Sequence, residues 1–182
     1  MAKPNRKAKK KRILTAAQVK AIFERFAREM LRRYGSFDQV VFIGIRTRGP
    51  YVARRLAQII KTRQKKEIPV GEMDITLYRD DLNALLPGGT IDHTRIPFDI
   101  ANKIIVLFDD VLYTGRTVRA AVDHLIDLGR PRMIHLAVMI DRGGRELPIA
   151  ANYVGRKIAL GAAGNVQVRL KEVDKVDAVL LA

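Results

Sequence analysis

The chain has 182 residues, enough for one domain with a sizeable core, and 48% of them are apolar. With no cysteine it can hold neither a disulfide framework nor a thiolate zinc site. Its 34 Lys and Arg against 19 Asp and Glu leave a formal charge of +15, which favours polyanionic partners: nucleic acid, acidic membrane or phosphorylated small molecules.

In chain order, residues 1–12 hold Lys3, Arg6, Lys7, Lys9, Lys10, Lys11 and Arg12 and no acid. Such dense like charge predicts a disordered basic arm, followed by a single domain over 13–182. Thr15 can cap a helix over Ala16–Tyr34 that ends at Gly35. Val19, Ile22, Phe23, Phe26 and Met30 mark its apolar face, with Arg25, Arg28 and Arg32 opposite. Val40–Ile43 reads as a buried strand, followed by a turn containing Gly and Arg and a helix over about Tyr51–Thr62. Val70–Tyr78 alternates as a half-buried strand does, and residues 79–99 have the composition of a long loop or a β-ribbon arm.

Ile104–Phe108 is a second buried strand, followed by a turn, a helix over about Arg116–Leu128, and a strand over Met133–Ile140. Beyond Asp141 the pattern is one of loops and short strands, notably Val166–Leu170. Strands alternating with helices predict an α/β fold, a parallel sheet flanked by helices. The apolar runs are strand-sized, too short to cross a bilayer, and no apolar stretch follows the basic N-terminus as in a secretory signal. A soluble, cytoplasmic protein with no membrane partner is expected.

The chemistry concentrates in Asp109–Thr117. An apolar strand runs into two acids and then Val111, Leu112, Tyr113, Thr114, Gly115, Arg116 and Thr117, opening a helix. Free backbone amides, two hydroxyls and a cation can wrap a phosphate monoester, with Gly115 admitting the close approach. Asp109 and Asp110 suit two vicinal ribose hydroxyls or a cationic transition state. Paired acids at a strand end also occur as a magnesium site in receiver-type folds or as a solvated turn, and Thr-Gly-x-Thr also serves as an ordinary helix cap. Neither a Walker A loop nor a G-x-G-x-x-G turn after a strand is present.

In this order and spacing the segment resembles the phosphoribosyl-pyrophosphate motif of the type I phosphoribosyltransferases. Gly44–Gly49, Asp74–Asp81, Asp109–Val118 and Asp141–Pro148 together resemble one subfamily, the bifunctional regulator of the pyrimidine operon that is also a uracil phosphoribosyltransferase. The likeness runs from about Ile13 onward. It implies a central parallel sheet with a small hood and a flexible loop, and transfer of phosphoribose from 5-phosphoribosyl-1-pyrophosphate (PRPP) to uracil, giving UMP and pyrophosphate. It also implies Asp109 and Asp110 on the ribose, Tyr113–Thr117 on the 5′-phosphate, and Arg46, Thr47, Arg48 and Gly49 as the pyrophosphate loop. Mg2+ is implied on the diphosphate and sugar, without direct protein ligands. Arg79 becomes the flexible-loop cation, and Arg142 and Val166 become the base contacts. His93, His124 and His135 match no motif position.

The subfamily's second role implies binding of pyrimidine leader RNA with UMP, by a homodimer or higher homo-oligomer, through Arg25, Arg28, Arg33, Arg145 and Arg156. Gly144 stands where the family usually has His, Ala150 where a basic residue is common, and Glu24 where a neutral hydroxyl is usual. These departures remove specific contacts, while the basic arm adds affinity without sequence readout. The alternative is a phosphoribosyltransferase for another base with only non-specific RNA binding.

Overall fold

The computed structural model describes residues 11–78, 93–160 and 164–181. A five-stranded parallel sheet is built from β2 (Val40–Ile45), β3 (Val70–Met73), β4 (Ile104–Leu112), β5 (Met133–Asp141) and β6 (Tyr153–Lys157), in the order β3-β2-β4-β5-β6. Neighbours along the strands face opposite layers, and both layers are apolar. Val40, Phe42, Val106 and Phe108 pack against helices α1 (Ala16–Tyr34) and α2 (Gly49–Gln64). Val41, Ile43, Ile105 and Leu107 pack towards α3 (Arg116–Leu128).

The chain crosses one face from β2 through α2 to β3, and the other face from β4 through α3 to β5. The topological switch point therefore lies between β2 and β4, where open α/β sheets form a crevice at the strand ends. A second, antiparallel sheet joins β1 (Lys11–Leu14), β8 (Ala178–Leu181) and β7 (Val166–Arg169) in the order β1-β8-β7, with the short helix α4 (Lys171–Asp174) between β7 and β8. This is the expected hood. Lys11 and Arg12, read from sequence as part of the arm, already belong to β1.

Helix α1 has the expected bounds because both ends are encoded locally: Gln18 N–H donates to Thr15 Oγ1 and Thr15 N–H to the Gln18 side chain, a reciprocal capping box. Two strands differ most from expectation. β3 stops at Met73 because Asp74 Oδ1 accepts from Thr76 N–H (3.0 Å) and Thr76 Oγ1 (2.6 Å), turning the chain into a 3-10 helix at Thr76–Tyr78. β4 runs through both acids to Leu112, since β5 continues to pair with it. Among the described residues no helix is long and apolar enough to cross a membrane.

Candidate active site

Two turns meet at the switch point. After β2, the turn 46–49 is drawn onto the sheet by two glycines: a Cβ on Gly44 would fall 2.2 Å from Pro50 N, and one on Gly49 2.3 Å from Phe108 O. Only residues without a side chain allow that approach. The Arg46–Thr47 peptide is cis. Arg46 and Thr47 are exposed, while Arg48 reaches across to α4, where its Nη2 and Nε donate to Asp174 Oδ1 (2.9 Å) and Oδ2 (3.3 Å).

Beside this turn, β4 carries Asp109 and Asp110. Asp109 is buried, and its Oδ1 accepts from Asp110 N–H at 2.8 Å. Burial pushes the Asp110 carboxyl above the usual carboxylate range, opposed by its hydrogen bond with Asp109 and by the charge of Arg48.

From the last two residues of β4 into α3, Val111–Val118 line a cleft of about 280 Å³. Gly115 takes φ +96°, which reverses the chain into α3 at the cleft, and the first amide of that helix, Arg116 N–H, donates to Thr114 Oγ1 at 3.3 Å. The loop is held from behind by backbone bonds from Glu146 and Leu147 N–H to Thr114 O (2.9 and 3.1 Å). Arg145 braces it further: Nη1 donates to Tyr113 O (2.6 Å) and Leu112 O (3.3 Å), Nη2 to Asp141 Oδ1 (2.6 Å), and Nε to Ile149 O (2.9 Å).

Arg142 is buried with its guanidinium carbon 3.7 Å from the centroid of the Tyr113 ring, a cation–π contact at the cleft wall. Gly144 has φ +71°, and a Cβ there would fall 2.5 Å from Tyr113 Cε2, so the ring stands where a side chain would begin. Val166 lies in the hood strand, with its side chain in the apolar cluster shared with Val168 and α1. Arg79 lies outside the described residues.

The arginines read as RNA contacts separate into two groups. Arg145 is committed to its brace: five acceptors inside the fold, Gly143 O at 3.5 Å among them, take its donors. Arg25 is likewise engaged, donating to Val154 O and Gly155 O at 2.8 Å each. Arg33 Nη2 meets His135 Nε2 at 2.9 Å, and Arg156 makes one long bond to Ile13 O at 3.4 Å. Arg28 is exposed. Sequence reading also missed the acids of the hood. Asp174 holds Arg48, and Glu172 and Asp177 hold Arg55. Their one signal was local: three acids within 172–177 of a strongly basic chain. Among the described residues no group of three or more His, Asp or Glu stands close enough to hold a metal ion.

A family model described as the phosphoribosyl transferase domain matches residues 10–172. The chain is 49% identical over 171 residues to a protein of Chloroflexus aurantiacus named bifunctional protein PyrR, covering 94% of each. It is 48% identical over 172 residues to the protein of that name from Thermus thermophilus, covering 94% of this chain and 95% of that one. Among solved structures, the crystal structure of the hypoxanthine phosphoribosyltransferase of Trypanosoma cruzi aligns with a TM-score of 0.72 at 14% identity, over 94% of this chain and 95% of that one. A hypoxanthine phosphoribosyltransferase of Staphylococcus aureus aligns with a TM-score of 0.67 at 19% identity, over 93% and 90%. At those identities the structures share the fold alone.

Proposed function

The chain belongs to the phosphoribosyl transferase family, and on that premise we propose that it is a uracil phosphoribosyltransferase and a UMP-responsive, RNA-binding regulator of pyrimidine genes, as its relatives named bifunctional protein PyrR suggest. The observation that carries the catalytic half is the cleft of Val111–Val118 beside Asp109 and Asp110 at the switch point.

The cleft takes the 5′-phosphate on the amides of Thr114, Gly115, Arg116 and Thr117, with the hydroxyls of Thr114 and Thr117 alongside. Asp109 and Asp110 accept from the ribose hydroxyls and offset the positive charge that develops at C1 as its bond to diphosphate breaks. Arg46, Thr47, Arg48 and Gly49 receive the diphosphate, and Arg79 is assigned to it by the resemblance alone. The new bond forms between uracil N1 and C1, the C1–O bond to diphosphate breaks, and the N1 proton passes to the departing diphosphate or to solvent. The protein's contribution is position and charge. The hard oxygens of Asp109 and Asp110 beside the cleft are compatible with a magnesium ion that would be held mainly by the oxygens of PRPP and water; such an ion would supply charge neutralisation to the leaving diphosphate. Arg142, stacked on Tyr113, and Val166 are the base contacts that the resemblance supplies to this reading.

Transfer is tested by incubating purified protein with labelled uracil, PRPP and Mg2+: formation of UMP supports the reading, and its absence overturns it. Competition by hypoxanthine and orotate tests the base, since a pocket built for uracil should be indifferent to both. For the second role, labelled pyrimidine leader RNA is titrated with and without UMP at two salt concentrations. Binding that UMP strengthens and a scrambled RNA does not match supports the regulator. Salt-sensitive binding indifferent to UMP supports the transferase alone, with non-specific RNA affinity. A homodimer or larger homo-oligomer and a cytoplasmic location belong to the same proposal, and sedimentation tests the assembly.

A further inference from the structure

Arg48 stands at the entry to α2, at the end of the turn assigned above to the diphosphate, yet its side chain is oriented by the hood. Its Nε and Nη2 form a two-pronged fork on the Asp174 carboxylate, at 3.3 and 2.9 Å. That carboxylate is fixed independently: Oδ2 accepts from Leu170 N–H at 3.0 Å, and Asp174 N–H donates to Leu170 O at 2.7 Å. Both side chains are largely sheltered, at 21% and 16% exposure. The Nη1 edge of the guanidinium has no hydrogen-bond acceptor among the described residues, and the carboxylate of Asp110 adds to the field on Arg48. A long, flexible arginine is thereby held in one geometry with donors to spare.

We propose that Asp174 is a positioning residue for PRPP, presetting the Arg48 guanidinium for the diphosphate; this rests on the assignment of turn 46–49 given above. A free loop arginine surrenders its side-chain freedom each time it takes up an anion, whereas one already forked on a fixed carboxylate does not. The arrangement discriminates between ligands. PRPP carries a diphosphate and gains from the preset donor, while UMP lacks one and does not.

Docking of the hood does not depend on this pair alone, because Arg55 is held by both Glu172 and Asp177. The isosteric D174N is therefore a fair probe. Steady-state kinetics and UMP titration are run on the wild type, D174N, R48Q and the double variant. Loss of one charge-assisted hydrogen bond corresponds to a rise in KM for PRPP of about tenfold in D174N. Its kcat at saturating PRPP and its affinity for UMP are expected to stay within about twofold of wild type. The double variant is expected to be no worse than R48Q, since the two residues act as one unit. An unchanged KM for PRPP in D174N overturns the proposal. So does a parallel loss of UMP affinity and thermal stability, which marks a purely structural tie, and so do additive effects in the double variant. If R48Q itself leaves the KM for PRPP unchanged, the assignment of the turn fails, and the role of Asp174 falls with it. Should D174N fail to fold by circular dichroism, D174E, which keeps the charge but displaces the carboxylate, decides the matter by the same comparison of PRPP with UMP.

Discussion

His135 Nδ1 lies 2.6 Å from Tyr34 Oη, while Nε2 of the same ring lies 2.9 Å from Arg33 Nη2. A guanidinium only donates, so Nε2 must present its lone pair and the ring proton must sit on Nδ1, donated to the phenol. The Tyr34 oxygen also accepts from Tyr153 OH at 3.0 Å. This arrangement has no place for a second proton on the imidazole.

Burial, and then the charge of Arg33, lower the affinity of His135 for that proton below its ordinary value of 6.5. The unfolded chain then binds more protons than the native one, so stability rises with pH. The contribution is whole above the ordinary value and drains away as pH falls from there to the native value. Thermal unfolding followed from about pH 5 to pH 8 is expected to show this slope in the wild type and a flatter one in H135Q. Equal slopes would dissociate His135 from the effect.

Arg145 gives a second prediction. Its brace supports the carbonyls of Leu112 and Tyr113 at the root of the phosphate cleft. R145Q strips most of those bonds and is expected to cost about 2–4 kcal/mol of stability and to weaken UMP binding about tenfold. Calorimetric titration with UMP checks this. A residue that served RNA alone would leave UMP affinity untouched.

A third concerns the junction of β2 and β4. G49A forces a methyl group to within 2.3 Å of Phe108 O, which neither backbone can relieve cheaply. A loss of about 3 kcal/mol or more in urea unfolding is expected, with PRPP affinity falling in whatever fraction stays folded.

The arginines of α1 separate a contact from a fastening. R28A is expected to leave the melting temperature within about 2 °C and to reduce both RNA affinity and its salt dependence. R25A releases the carbonyls of Val154 and Gly155 and is expected to lower the melting temperature first. If R28A changed stability and R25A changed RNA affinity alone, the division drawn from their hydrogen bonds would be reversed.

What could be read in advance was what neighbouring residues decide among themselves. Thr15 as a cap set the start of α1, and the Asp-Asp-to-Thr-Gly-Arg-Thr order fell at a helix entry, where the cleft is. The overreach on Val70–Tyr78 came from trusting alternation across Asp74, whose side chain captures the backbone two residues on. β1 and β8 went unread because each is short and finds its partner at the far end of the sequence. The same distance hid the fork of Arg48 on Asp174 and the brace of Arg145. An arginine's charge is plain in a sequence, but whether it is displayed or spent is settled only by which carbonyls and carboxylates the fold brings to it.

The position of β8 in the middle of the hood bears on the order of assembly. Among the described residues β1 pairs only with β8, and so does β7, so neither ladder of that sheet can form before residues 178–181 are available. The five-stranded sheet needs nothing beyond Lys157. During synthesis the scaffold bearing the cleft can therefore be complete while the fork on Arg48 is still wanting, and the nascent chain would gain a grip on phosphate before it gained its full grip on diphosphate. Pulse proteolysis of chains halted before Ala178 should find the parallel sheet resistant and β1 cut.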